Sequence, residues 1–421
     1  MSIAAAAEKK ISLYPLLWVM LFDHTSLNIT FPVLTLIFFD VQSSLFAAAT
    51  THAVRSMWYG LAVAVPHLVN IVVTPLLCAL SDTYGRKKIL FVGTLGAMLF
   101  ALTAGAGVIM GVFGLLFTGL IIRGAFSRTN PIAQAVVGDI STKDQKVRAM
   151  GYLQFAIGTG AFIGPVVGGY FANQFLFERL NFSLPFFLAA LFAGVSCLLT
   201  LLVFRETLPS ANRTSSTSGI LSLATFKKVL ANSQVLRISA VLFLSQFSWS
   251  LYYQFIPPVL KTTQNFSAHA LGLFVGMIAF WLALATSVGI RLLEKFFSRK
   301  QMLVFSLYLV LLGLLLTVLF CLPAVSSYAQ TGIWIAAIPV AIGDVIAFSC
   351  LIAMYSDVVA PAEQGKVMGI CFVVVAVIWS LTGLLGGMLM SLHALMPLVV
   401  APLGIIFSVL LLHTVFNRSI H

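Results

Sequence analysis

Charged side chains are scarce in this chain. Asp, Glu, Lys and Arg together make up 9% of its 421 residues, and only 12 are acidic. Soluble domains carry about 25%, so a water-facing surface over most of the chain is excluded. Cysteine is scarce too: the five, at 78, 197, 321, 350 and 371, lie scattered in apolar runs. Their spacing fits neither a metal site nor a disulfide framework, and they read as small packing residues. The sequence contains no Walker-type phosphate loop, no His-Glu-x-x-His, no Cys-x-x-Cys and no nucleophile elbow. No cofactor, no metal and no enzymatic activity are expected. Without a nucleotide site, active work on a substrate would have to draw on an ion gradient.

What the chain has instead is hydrophobic length. Apolar residues make up 60% of it, aromatics 12%, and the mean hydropathy is +1.05. Apolar segments recur at 12–39, 58–80, 88–110, 112–138, 150–173 and 184–205, and again at 236–260, 269–292, 302–322, 331–357, 366–391 and 395–416. About 20 such residues cross a bilayer as a helix. The reading is an all-α integral membrane protein with twelve transmembrane helices in two six-helix bundles. Between the sets lies the one long polar stretch, with Asn-Arg-Thr-Ser-Ser-Thr-Ser-Gly at its centre, which has the composition of a linker. The expected division is 1–205, a cytoplasmic linker at 206–235, and 236–421. The first apolar segment follows Lys9 and Lys10 without a clear cleavage site, so it is read as a retained helix and not a signal peptide.

The net charge of +12 does not call for nucleic acid. With the N-terminus inside, Lys and Arg at 9, 10, 86, 87, 88, 143, 146, 148, 205, 213, 227, 228, 237, 291, 295, 299, 300, 366 and 418 fall on the cytoplasmic side. Only Arg55, Arg179 and Lys261 fall outside, while Arg123 and Arg128 lie within a helix. That asymmetry orients a multi-pass protein in a cell membrane, with a bacterial inner membrane expected and both termini cytoplasmic. The expected partners are the lipid bilayer, a small-molecule substrate and protons, and a monomer is expected.

Two motifs interrupt the apolar pattern. Leu80-Ser81-Asp82-Thr83-Tyr84-Gly85-Arg86-Lys87-Lys88 is a short charged turn between helices two and three. Gly85 permits positive φ there, and Asp82 could bond to free amides at a helix start. In helix five, Gly160, Gly164 and Gly168 share one face, and Gly168-Gly169 follows Pro165, which bends the helix. The halves also echo each other: Asp144-Gln145 precedes Met150-Gly151, and Glu363-Gln364 precedes Met368-Gly369. Such parallel repeats suit a two-half transporter.

Leu-Ser-Asp-x-x-Gly-Arg-Lys resembles the loop between helices two and three of the major facilitator superfamily. The helix-five pattern Gly160-x-x-x-Gly164-Pro165-x-x-Gly168-Gly169 is similar to that of its antiporters. Within that superfamily the chain is most similar to drug–proton antiporters related to tetracycline efflux proteins. Asp23, in Leu-Phe-Asp-x₈-Pro-Val-Leu, is similar to their helix-one carboxylate. The chain departs from the pattern at Cys78, Thr83 and Thr35. It also carries Leu120 in the slot four residues before Gly124, where the family has an arginine. The resemblance implies secondary active transport by alternating access, with proton-coupled efflux of a drug, metabolite or siderophore. The alternative is proton-coupled uptake of a small anionic or zwitterionic nutrient or siderophore, and more remotely a non-transporting sensor or scaffold.

Ionisable groups within a membrane helix default to functional candidates. These are Asp23 in helix one, Arg123 and Arg128 in helix four and Asp344 in helix ten. Asp23 or Asp344 would carry the proton, and Arg123 or Arg128 would hold a substrate carboxylate or a counter-ion. A purely structural Asp23–Arg128 ion pair is the competing reading. His67, mid-helix after Pro66, could line the same cavity, although a hydrogen-bonded packing role is the simpler account for it and for His24. Trp249, Tyr252, Tyr253, Trp281 and Trp379 could stack on a substrate, although packing or interface anchoring suits each singly. Asp82, Gly85 and Arg86 would form a gating loop.

Overall fold

The computed structural model describes residues 12–40, 43, 45–47, 49–126, 129–172, 180–208, 233–322, 329–358 and 364–417. Arg128, Glu363 and most of the polar linker therefore lie outside the described residues. The first half comprises α1 (Tyr14–Phe39), α2 (His52–Tyr84), α3 (Arg86–Met110), α4, α5 (Lys143–Phe171) and α6 (Leu184–Leu202). The fourth is described in two pieces, Phe113–Phe126 and Thr129–Ile140. The second half comprises α7 (Ser233–Gln264), α8 (Ala268–Leu284, prolonged through the π turn Ala285–Gly289 to Leu293), α9 (Arg299–Cys321), α10 (Ala329–Val358), α11 (Gln364–Leu392) and α12 (Met396–Asn417). Eleven of these are continuous helices long and apolar enough to span a membrane, and α4 supplies the twelfth crossing in its two pieces.

The helices form where the apolar runs lie, and polar side chains fix several ends. Thr51 caps α2 by accepting from the Val54 amide, and Ser298 and Gln301 close a reciprocal capping box at the start of α9. Gly111 ends α3 in the left-handed conformation. The structure extends α2 beyond the sequence reading at both ends. Leu80 to Tyr84 are its last turn, so the expected loop reduces to Gly85 alone, whose φ is 102°. A side chain at that φ would be strained, which is why a single glycine can reverse the chain.

Within each half the helices pack around apolar cores. Half one and half two meet chiefly along two crossings, α2 with α11 and α5 with α8, and α1 also touches α7 and α8. Both crossings are built from glycine. A Cβ added at Gly60 would lie 2.7 Å from the Gly387 Cα, and one at Gly169 would lie 2.7 Å from the Gly272 Cα. These contacts occupy the end of the molecule far from Gly85, here called the far face. Towards Gly85 this close contact is lost along α5: a Cβ at Gly151 would meet nothing within 4 Å, and Tyr152 and Phe155 are exposed.

Candidate functional site

At the Gly85 face, Arg86 gathers the charges. Its guanidinium donates to Asp82 Oδ1 at 2.5 Å, to Ser81 Oγ at 2.7 Å and to Asp139 Oδ2, at the end of α4, at 3.1 Å. Asp82 therefore does not cap a helix start, as its position in the motif suggested. The exposed amides at the start of α3 are taken by Glu206, which accepts from Arg86 N at 2.9 Å and Lys87 N at 3.2 Å. The same carboxylate accepts from Thr207 N and Leu208 N at 3.0 Å each. It wins because the chain leaving α6 delivers it directly beneath the N-terminus of α3, whereas Asp82 is drawn off by a guanidinium one turn away. Sequence reasoning missed Glu206; its signal was a carboxylate in the first polar residues after helix six. Charged acceptors at a helix N-terminus contribute about 0.5–2 kcal/mol. Glu206→Ala is thus expected to lower thermal stability more than Asp82→Asn, a ranking that thermal unfolding in detergent would check.

At the far face an ion pair joins the halves. Lys261 of α7 lies 2.6 Å from Asp40, which follows α1, and both side chains are largely buried. Arg55 of α2 organises the segment around it by donating to the carbonyls of Phe38 at 3.1 Å and Thr50 at 3.3 Å. The sequence reading treated Arg55 and Lys261 only as outside charges. Nothing in the sequence announces a partner more than 200 residues away.

Between these faces lies a ring cluster to which both halves contribute. Phe31 of α1 stacks on Tyr253 of α7 at 5.0 Å and 7°. Tyr253 lies 5.3 Å from Trp249 and 5.9 Å from Trp379 of α11, and Trp379 lies 5.1 Å from the His67 ring of α2. Arg123 belongs to the same level. Its neighbour Gly124 packs on Pro66 and Val69, one residue before and two after His67, and the guanidinium lies 5.4 Å over the Phe100 ring of α3. Phe31, His67, Arg123, Tyr253 and Trp379 are all only partly buried.

Asp23 sits apart from that cluster. It is fully buried, and its Oδ2 accepts from Thr129 Oγ1 of α4 at 2.5 Å; its Oδ1 has no partner among the described residues. Thr129 is the neighbour of Arg128, which lies outside the described residues. Arg123, six residues before Thr129, lies in the other described piece of α4. Asp344 is also buried and accepts from Gln246 Nε2 of α7 at 3.1 Å, inside half two and away from Asp23. The sequence candidates therefore separate into distinct places: Arg123 and His67 at the ring cluster, Asp23 against α4, and Asp344 against α7. His24 faces α5, its Cβ close to Gly160.

The helix-five glycines serve two different contacts. Gly160, Gly164 and Gly168 lie against the α1 backbone at Leu21, Thr25 and Ile29. Gly169, one residue on, faces α8 of the other half, together with the carbonyl of Pro165. One motif thus fixes α1 inside half one and offers its next residue to half two.

The comparisons with known proteins agree with this architecture. Residues 15–383 match the Major Facilitator Superfamily. The tetracycline resistance protein, class C, of Escherichia coli is 25% identical over 378 residues, covering 88% of this chain and 86% of the relative. The class H protein of Pasteurella multocida is 29% identical over 196 residues, 47% of this chain; that match spans about half the relative, 45% of its length. Among solved structures, the human organic anion transporter MFSD10 superposes with a TM-score of 0.69 at 17% identity, covering 97% of this chain and 100% of that one. The D-xylose–proton symporter gives 0.73 at 15% identity, covering 95% and 96%. At such identities the structures speak to fold alone. The family match spans nearly the whole chain; the chain belongs to the major facilitator superfamily and is a transporter, not an enzyme.

Proposed function

We propose that this protein is a proton-coupled exporter of a small organic compound, a drug, metabolite or siderophore, working by alternating access in a bacterial inner membrane with both termini in the cytoplasm. The carrying observation is a fully buried carboxyl, Asp23, hydrogen-bonded across to α4, beside a ring cluster that both halves supply. A chamber around that cluster would offer a substrate surfaces from α1, α2, α4, α7 and α11, so that occupancy is felt by both halves. Asp23 offers a group that can carry one proton through each cycle. The Gly85 face then opens to the cytoplasm and the far face to the outside, as the distribution of Lys and Arg supports. Units 1–205 and 236–421 would rock against each other across the 206–235 linker.

Export is favoured over uptake by the helix-five pattern and by relatives named as tetracycline and multidrug resistance proteins, among them multidrug resistance protein 2 of Bacillus subtilis, 29% identical over 154 residues. In the opposite state, the half-exposed Asp82, oriented by Arg86, would meet the start of α11 and hold the cytoplasmic face shut. The test is accumulation, beside counterflow, in proteoliposomes with a panel of drugs and metabolites, with and without a pH gradient. Gradient-driven accumulation of at least one compound is expected. Transport that is indifferent to the gradient would overturn the coupling, and import down an inward proton gradient would overturn the direction.

The Asp40–Lys261 pair would hold the far face closed. Exposed ion pairs contribute about 0.2–1 kcal/mol and breaking fully buried ones costs about 3–5 kcal/mol; this pair lies between. Lys261→Gln is therefore expected to favour the outward-open state about tenfold, a shift of ~1.4 kcal/mol. The exchange of charges, Asp40→Lys with Lys261→Asp, should restore the balance. Spin-label distances across the far face would read the shift, and an unchanged distribution in Lys261→Gln would remove the lock.

A further inference from the structure

We infer that the main-chain carbonyl of Gln254, left free by a proline in α7, is the receiving atom of an uncharged catch between the halves, and that the Tyr59 hydroxyl of the other half closes it. The inference adds a gate to the alternating-access reading and rests on it.

The free carbonyl follows from the sequence. α7 carries Pro257-Pro258 within its length and continues past them to Gln264. In a helix the amide at i+4 serves the carbonyl at i, and proline has no N–H. Pro258 therefore leaves the Gln254 carbonyl without its helical donor, and Pro257 does the same to that of Tyr253. A buried carbonyl of this kind takes a donor from elsewhere. For Gln254 that donor is Tyr59 of α2, whose hydroxyl lies 2.8 Å from the oxygen. Tyr59 is fully buried and Gln254 nearly so, which keeps water from competing for the bond. The ring of Tyr59 aims its hydroxyl, standing edge-on to Phe38 of α1 at 5.8 Å and to Phe255 of α7 at 5.6 Å.

Its position makes the contact conditional on closure. Tyr59 precedes Gly60, which meets the backbone of Gly383 and Gly387 of α11, so the hydroxyl sits beside a crossing where the halves part. Parting withdraws the hydroxyl, and water entering the gap takes its place at the carbonyl. Gln254 is meanwhile fastened within its own half. Its Nε2 donates to Thr382 Oγ1 at 3.0 Å and to the Trp379 carbonyl at 3.2 Å, and Thr382 shares a 2.8 Å hydrogen bond with Ser250 Oγ. The receiving carbonyl is thus held against α11, on the segment that brings Trp379 to the ring cluster. The Asp40–Lys261 pair is charged and weakens as salt screens it, whereas a hydroxyl on a carbonyl does not.

Full-length protein in lipid nanodiscs, with spin labels on each half across the far face, tests the catch. Tyr59→Phe deletes one oxygen and keeps the ring, and should raise the outward-open population about fivefold or more. Pro258→Ala returns a helical donor to the Gln254 carbonyl, so that Tyr59→Phe in that background should shift the population less than about twofold. Pro257→Ala serves the Tyr253 carbonyl instead, and there Tyr59→Phe should keep its full effect. Thermal unfolding establishes that each variant is folded. An unmoved distribution in Tyr59→Phe beside a shifted one in Lys261→Gln would overturn the catch alone. No shift in either would overturn the parting of the halves, and the catch with it. An effect of Tyr59→Phe that is the same with and without Pro258→Ala would overturn the role of the freed carbonyl. If Pro258→Ala does not fold, salt decides: the effect of Tyr59→Phe should persist at about 1 M salt while that of Lys261→Gln shrinks. An effect that fades with the ion pair would show Tyr59 acting through Asp40–Lys261 and overturn the inference.

Discussion

Gly168→Leu is expected to cost the protein its fold, whereas Gly169→Leu, one residue away, should leave it folded and unable to close its far face. A Cβ at 168 would overlap the Ile29 carbonyl oxygen, and that obstacle is backbone, within a helix that cannot step aside. Overpacking of this kind costs ~1–3 kcal/mol where side chains can yield, and more where they cannot. At 169 the added atom would lie 2.5 Å from the Ala268 carbonyl oxygen and 2.7 Å from the Gly272 Cα, both in half two. Those atoms are met only when the halves approach, so strain at 169 is relieved by parting them. Thermal unfolding should fall sharply for Gly168→Leu and little for Gly169→Leu. Spin labels across the far face should report a population held outward-open in Gly169→Leu alone. Equal unfolding temperatures for the two variants would mean that α5 does not divide its glycines between the halves.

Asp23→Asn should abolish gradient-driven accumulation while leaving the protein inserted and folded. Asparagine keeps the size of the side chain, and its carbonyl oxygen can still accept from the Thr129 hydroxyl that now bonds to Oδ2 at 2.5 Å. What it loses is the ability to take up and release a proton. Counterflow, which exchanges labelled for unlabelled substrate without net proton movement, should persist. Loss of accumulation with counterflow retained marks a coupling residue. If the unfolding temperature falls and both activities vanish, Asp23 is a structural partner of α4; if accumulation survives in full, the proton travels through Asp344 or another group.

The twelve crossings were legible because lipid imposes a simple rule: a run of apolar residues of sufficient length becomes a helix, whatever its neighbours. The rule fails at the edges. Helix two begins at His52 and runs through Asp82 to Tyr84, well past its apolar run, because polar residues continue a helix wherever their backbone amides stay bonded. Gly85 was legible as a reversal, since few residues tolerate its φ. Which carboxylate would serve α3 was not: Asp82 and Glu206 are equally plausible on paper, and the choice is made by where α6 ends. The same limit applied to the candidate site. Arg123, His67 and Trp379 were each visible as unusual residues in a membrane helix, but their convergence depends on contacts between chain segments up to about 300 residues apart, for which hydrophobic periodicity carries no signal. The glycine face at 160, 164 and 168 could be drawn from the sequence, while the separate engagement of Gly169 by Gly272 required the other half.

The glycine-lined crossings have a thermal consequence. When two faces of leucine or methionine come together, each side chain surrenders rotamer freedom, worth roughly 0.5–2 kcal/mol apiece at 25 °C. Gly60, Gly383 and Gly387 on one side and Gly169, Gly272 and Gly276 on the other have no rotamers to surrender. Closing these two crossings therefore orders little, and reopening them regains little, so that most of the ordering at the far face falls on the Asp40–Lys261 pair. The balance between the two open states should drift less with temperature than in a carrier whose gate is made of long side chains, leaving the exchange rate, and not the resting population, to respond to warming.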